Sequence, residues 1–160
     1  MNKNILYIFI LALLYSACEK DDICLLPTTP KLILRFYNNT SQADVKAVDR
    51  LSVWAEGKDS ISNYRSVTLD SIAIPLNTNT SETIYHFKMN SVDGNIANNT
   101  NNTITIKYTT EEVFVSRSCG FKTIFNNVTI SSDNNWIQSF TPATLTTIDN
   151  ETAAHVKIFH

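Results

Sequence analysis

The sequence predicts an all-β domain: an immunoglobulin-like antiparallel β-sandwich of about seven to nine strands, with a small β-barrel as the second architecture. Three observations lead there. The chain is rich in Thr, Ser, Asn and Ile and has few Ala, Leu or Glu, a balance that favours strands and turns over helices. Its apolar residues recur with a period of two. Short runs of this kind are separated by clusters of Asn, Ser, Asp and Gly, whose side chains suit turns.

The elements follow in order. Over residues 31–37, Leu32, Leu34 and Phe36 fall on one face, opposite Lys31 and Arg35, as a half-buried strand requires. Residues 42–50 fit a short helical turn, with Val45, Val48 and Leu51 on one side. Strand-like runs continue at 51–55, 66–74 and 84–89. In the next, Ile104, Ile106 and Tyr108 oppose Thr103, Thr105 and Lys107. The last four occupy 112–118, 127–130, 145–148 and 155–159. Turn clusters lie at 38–41, 77–81, 93–95, 98–102 and 133–135. There is no internal repeat and no linker long enough to divide the body, so residues 31–160 read as one domain.

The start of the chain is different. Lys3 supplies a positive charge, an apolar run spans residues 5–14, and the small Ser16 and Ala17 precede Cys18. Such a run fits a signal-peptide core and falls short of the roughly 20 apolar residues a membrane-spanning helix needs. It reads as a lipoprotein signal, residues 1–17, with Cys18 as the lipid attachment site. Tyr15 departs from the pattern, standing where such signals usually carry Leu. An ordinary secretory signal cut near Ala17 is the alternative. Residues 18–30 then form a lipidated acidic tether. In it Glu19, Lys20, Asp21 and Asp22 resemble the short export signal of Bacteroidota lipoproteins that reach the outer face of the outer membrane. A periplasm-facing lipoprotein is the alternative.

Composition narrows the function classes. About 140 residues remain after the leader, enough for one core. The formal net charge is −2 and no run of Lys or Arg occurs, which sets nucleic-acid binding aside, since phosphate neutralisation needs a basic patch. Of three cysteines, lipid takes Cys18. Cys24 and Cys119 remain as the natural disulfide of an oxidising compartment. Without a Cys-x-x-Cys pair, redox catalysis is the lesser reading.

No catalytic or metal signature stands out. His155 and His160 are five residues apart on one expected strand, so they point to opposite sides and cannot chelate one ion. His86 reads as a solvated or cross-strand residue. Glu111 and Glu112 are adjacent and diverge in a strand, unlike the opposed carboxylates of a glycosidase. The Asp93-Gly94-Asn95 and Asp133-Asn134-Asn135 clusters lack a calcium loop's spaced acids. The three glycines build no phosphate-cradling loop. No cofactor is expected. Trp54 and Trp136 are candidates for stacking on a sugar ring or anchoring a partner, with core or edge packing the favoured reading. Ser60 and Ser71, in Asp59-Ser60-Ile61 and Asp70-Ser71-Ile72, resemble the Asp-Ser/Thr-apolar O-glycosylation sites of exported Bacteroidota proteins.

Five segments carry a wider resemblance: residues 18–24, 29–32, 70–76 (DSIAIPL), 115–121 (VSRSCGF) and 155–159 (HVKIF). Together they resemble an uncharacterised Bacteroidota lipoprotein family, the domain of unknown function 6452. The resemblance spans nearly all of the mature chain. It implies a lipid-anchored extracytoplasmic domain and the Cys24–Cys119 pairing, and it transfers no activity. The expected role is a non-catalytic binding or structural module that meets the membrane through Cys18 and contacts an outer-membrane or other envelope protein. The alternative is a surface glycan- or nutrient-binding lipoprotein.

Overall fold

The computed structural model describes Cys24, residues 29–90 and residues 99–160. The leader at 1–17, Cys18, Glu19, Lys20, Asp21, Asp22 and the 93–95 turn cluster lie outside the described residues.

Ten strands are found among the described residues. They are β1 (Leu32–Tyr37), β2 (Val48–Ala55), β3 (Val67–Leu69), β4 (Ser71–Ile74), β5 (Glu82–Met89), β6 (Thr100–Ser116), β7 (Gly120–Ser132), β8 (Ser139–Thr141), β9 (Thr144–Ile148) and β10 (Val156–Phe159). They form a sandwich of two open sheets, with strand orders β4-β1-β10-β8 and β3-β2-β5-β6-β7-β9. The all-β sandwich is as the sequence predicts, with more strands than expected, and the described residues form no closed barrel. Among the described residues all pairings are antiparallel except one: β1 and β10 run parallel, with Leu34 opposite Val156 and Phe36 opposite Ile158.

The inner faces follow from the alternation. Leu32, Leu34, Phe36, Ile72, Ile74, Val156 and Ile158 cover one sheet. Val53, Tyr85, Phe87, Ile104, Ile106, Tyr108, Phe125 and Val128 cover the other. In β7 the buried positions are Phe125, Val128 and Ile130, a spacing of three and then two. A bulge causes the slip: the register with β6 shifts between Lys107 and Thr109, and Asn127 sits at φ 53°, a conformation Asn tolerates well.

Several expectations are corrected. Residues 42–50 are not helical. A turn at residues 41–44 returns the chain so that Val45 bridges Tyr37, and β2 begins at Val48. Ser41 Oγ donates to Asp44 Oδ2 at 2.6 Å, the kind of local polar bond that competes with helix. The run at 66–74 is two strands in different sheets. The chain crosses between them at Asp70, whose carbonyl accepts the Phe36 amide at 2.8 Å. Both halves are extended, so the period of two passes through the crossover unmarked. The runs at 103–108 and 112–118 belong to one strand, β6. Asn101 and Asn102, placed in a turn cluster by composition, are strand residues. Strand β8 has no counterpart among the expected runs.

Candidate functional site

The β6–β7 pair is longer than the sandwich that holds it. β5 accompanies β6 only as far as Lys107, and β9 accompanies β7 over residues 125–129. From Glu111 opposite Ile124 to Ser116 opposite Gly120, β6 and β7 have only each other among the described residues. This end is a two-stranded ribbon. Its turn uses Gly120 at φ 68°, a left-handed position that favours glycine. Cys119, in the turn, is bonded to Cys24 across 95 residues. The chain that enters β1 is thereby fastened to the ribbon tip.

The two faces of the ribbon differ. On one, Lys122 Nζ donates to the Asp149 carbonyl at 2.7 Å, and Val115, Lys122, Pro30 and residues 149–152 line a shallow cleft. On the other, Phe114 and Phe121 stand directly opposite each other. Their rings meet edge to face at 5.5 Å, yet the residues remain 58 % and 61 % exposed. With Val45, they are the large exposed hydrophobics among the described residues. Sequence reasoning missed this pair. The signal was present: Val113, Phe114 and Val115 are consecutive apolar residues where alternation calls for a polar one.

The outer face of the six-stranded sheet carries a second cluster. Trp54 and His86 are cross-strand partners, stacked with ring centroids 5.3 Å apart. His86 Nε2 contacts Glu56 Oε2, and its Nδ1 lies 3.3 Å from Thr103 Oγ1. A hydroxyl, an imidazole and a carboxylate in line resemble a hydrolytic triad in kind. The Thr103 amide is itself held by Asp133 Oδ2 at 3.0 Å, so it is not available as an oxyanion donor. Lys58, Arg65 and Lys88 line the shallow cleft beside Trp54. Trp54 is half-buried and keeps a solvent-facing side, as its place opposite Val53 requires.

The other candidate residues scatter. Trp136 is 7 % exposed and packs against Phe36 at 6.3 Å and edge-on to His160 at 5.5 Å. Its Nε1 donates to the Phe87 carbonyl. It belongs to the core and offers no stacking platform, which corrects that candidate role. Trp54 and Trp136 therefore form no joint site. Ser60 lines the Trp54 cleft, whereas Ser71 lies in β4 and donates to the Leu34 carbonyl at 3.2 Å. His155 and His160 are held apart by different backbone partners, the carbonyls of Asn150 and Lys46. Burial lowers the pKa of both below the usual imidazole value. Among the described residues, no three His, Cys, Asp or Glu side chains converge as a metal site needs, and no helix is long and apolar enough to cross a membrane.

The model of a family of unknown function, DUF6452, matches residues 50–160. That is more than half of the chain, from within β2 to the last strand, and the chain belongs to this family. No curated protein and no solved structure matches it.

Proposed function

We propose that this DUF6452 member is an outer-membrane-anchored lipoprotein whose β-sandwich is a non-catalytic binding or structural module contacting another envelope protein. Cys18 carries the lipid, and Glu19, Lys20, Asp21 and Asp22 act as the export signal to the outer face. The observation that carries this reading is the Cys24–Cys119 disulfide. It belongs to an oxidising compartment, and it uses both other cysteines, leaving Cys18 at the end of the apolar run for lipid. A sheet edge is the natural contact for a protein partner. β9 is the longest of the four edge strands among the described residues.

The test combines fractionation with crosslinking in intact cells. The parent protein should carry acyl mass on Cys18 and sediment with outer membranes, and Cys18→Ser should be released in soluble form. Crosslinking should recover one envelope protein, and protease shaving should remove the domain from whole cells. A parent protein found soluble and without acyl mass would refute the anchor. Protection from shaving would move it to the periplasmic side.

A second reading rests on Trp54. An aromatic ring on an outer sheet face, in a cleft where Lys58, Arg65 and Lys88 outnumber Asp59, suits a sugar ring bearing carboxylate or phosphate. Glycan-array binding that disappears in Trp54→Ala would favour it. No binding by the parent protein would remove it.

A further inference from the structure

We propose that the Phe114–Phe121 tip of the β6–β7 ribbon is a second membrane contact, resting on the bilayer surface that holds the Cys18 lipid. The inference deepens the anchored reading and depends on it.

Chain length brings the tip to the bilayer. Cys24 lies six positions after Cys18, a reach of at most about 20–22 Å when fully extended. The disulfide joins Cys24 to Cys119, and Phe121 is two residues further on. A lipid on Cys18 therefore confines this end of the ribbon to the vicinity of the membrane. The same end carries the exposed aromatic pair on the face turned away from the cleft at residues 149–152.

The size of the patch argues for lipid over protein. Two phenyl rings can bury at most roughly 300–500 Å², whereas a stable protein interface takes about 800 Å² from each partner. Stable membrane attachment, by contrast, works with two modest signals acting together. Charge gives little help: the exposed Arg117 is at the tip, but Glu19, Asp21 and Asp22 lie close to the lipid. Attraction to anionic headgroups is thus opposed, and apolar contact with a zwitterionic surface carries the binding. Held at Cys18 and at the tip, β6 stands away from the bilayer, and its other end at Thr100 points outward.

The experiment places a tryptophan at the tip. Lipidated Phe121→Trp and Phe114→Trp proteins are mounted in vesicles of phosphatidylcholine and phosphatidylethanolamine. Their emission is compared with that of the parent, which shares Trp54 and Trp136. The added tryptophan should emit at shorter wavelength than in the unlipidated Cys18→Ser form of the same variant in buffer and lose at least half its intensity to brominated lipid, at low and at high salt alike. Asn101→Trp, at the far end of β6, should do neither. Water-like, unquenched emission from both tip variants while the protein stays on the vesicles would overturn the proposal. So would a blue shift in the same tip variants carrying Cys18→Ser, without lipid or vesicles, that grows with protein concentration, because a second copy would then cover the patch. Failure of the anchor itself reads differently: the protein lacks acyl mass and remains in the supernatant. Cys18 then keeps a thiol that can be coupled to a maleimide headgroup lipid. This puts the tip at a similar reach, and the same spectra decide.

Discussion

His155 Nδ1 accepts the backbone amide proton of Ile33 at 2.9 Å. That bond fixes the tautomer, because Nδ1 must be bare. Nε2 then carries the hydrogen and donates to the Asn150 carbonyl at 3.0 Å. One neutral imidazole thus ties β1 to the segment that leads into β10, beside the parallel pairing of the first and last strands.

Protonating His155 removes the acceptor that Ile33 uses. Burial, the main cause, holds its pKa below the usual 6.5, against opposing contributions from the Asn150 carbonyl, Glu151 and Asp149. His160 is lowered in the same direction, again first by burial. With a depressed folded-state pKa, the unfolded chain takes up protons first as pH falls. Stability is therefore full above about pH 6.5 and declines through the region just below it. Calorimetric Tm should fall between about pH 7.5 and 5. In His155→Asn, whose Oδ1 can replace Nδ1 as acceptor without titrating, the fall should be smaller. An identical fall in both proteins would count against this account.

The inner residues of β1, β5 and the first half of β6 were legible because one face of each is wet and the other dry. Where that asymmetry fails, so does the reading. The ribbon beyond Glu111 has solvent near both faces, so the run Val113-Phe114-Val115 breaks alternation without telling which of its side chains is exposed. Asp70 changes sheet without changing conformation, which alternation cannot register. Alternation sets Trp54 opposite Val53 but does not tell whether that face is wet, so core or edge packing is the favoured reading for a residue that lies half-buried on the outer face. Trp136, beside an Asn turn, has no period to place it.

Asn102 shows what composition hides. It is fully buried, and its side chain is saturated. Oδ1 accepts the amides of Asn135 at 3.0 Å and Ile137 at 3.2 Å. Nδ2 donates to Ser132 Oγ at 2.7 Å and to the Thr103 carbonyl at 3.3 Å. The residue holds the chain that leaves β7 against the start of β6. Asn102→Ala leaves two amides without their acceptor, and urea unfolding should show a loss of about 2–4 kcal/mol. A loss below about 0.5 kcal/mol, within the range of an ordinary surface substitution, would mean that water replaces the amide without penalty.

Three groups around β5 close a hydrogen-bond circuit. The Asn77 amide donates to Thr83 Oγ1 at 2.9 Å, and Tyr108 Oη donates to the Asn77 carbonyl at 2.7 Å. The short 2.5 Å contact between the hydroxyls of Thr83 and Tyr108 then has Thr83 as donor. Each hydroxyl gives one hydrogen and accepts another. Tyr108→Phe strands both the Thr83 hydroxyl and the Asn77 carbonyl. It should cost about 1–3 kcal/mol, and Thr83→Val added to it should cost much less than it does alone. Additive losses in that double-mutant cycle would show that the groups act independently.

Tyr85 predicts the alkaline limit. Its hydroxyl donates to the Pro75 carbonyl at 2.5 Å. Burial, with Tyr108 as a second cause, pushes its pKa up to about 12. A raised folded-state value means that the unfolded chain ionises first, so stability is full below about pH 10 and declines as pH rises toward the folded value. Absorbance near 295 nm should show one tyrosine ionising late, and Tyr85→Phe should remove that late step. A parent titration in which every tyrosine ionises together near pH 10 would refute it.

The ribbon gives the disulfide a local task beside its global one. A two-stranded hairpin alone is marginal in water, and from Ile124 to the tip this one has no third strand among the described residues. The Phe114–Phe121 cross-strand pair supplies some support, and the bond from Cys119 to Cys24 fastens the turn from outside. A closure spanning 95 residues also restricts the unfolded chain, by about 2–4 kcal/mol in typical cases. Alkylation with and without reductant should differ by two added groups. Cys119→Ser should lower stability in urea by a similar 2–4 kcal/mol. Its amide exchange should separate the two effects: protection at Val113 and Lys122, which face each other across the ribbon, should collapse further than global unfolding alone accounts for. Ile104 and Ile106, between β5 and β7, should lose only what the global change dictates. Equal losses at both places would mean that the ribbon and sandwich open as one unit, with the disulfide acting on the unfolded chain alone.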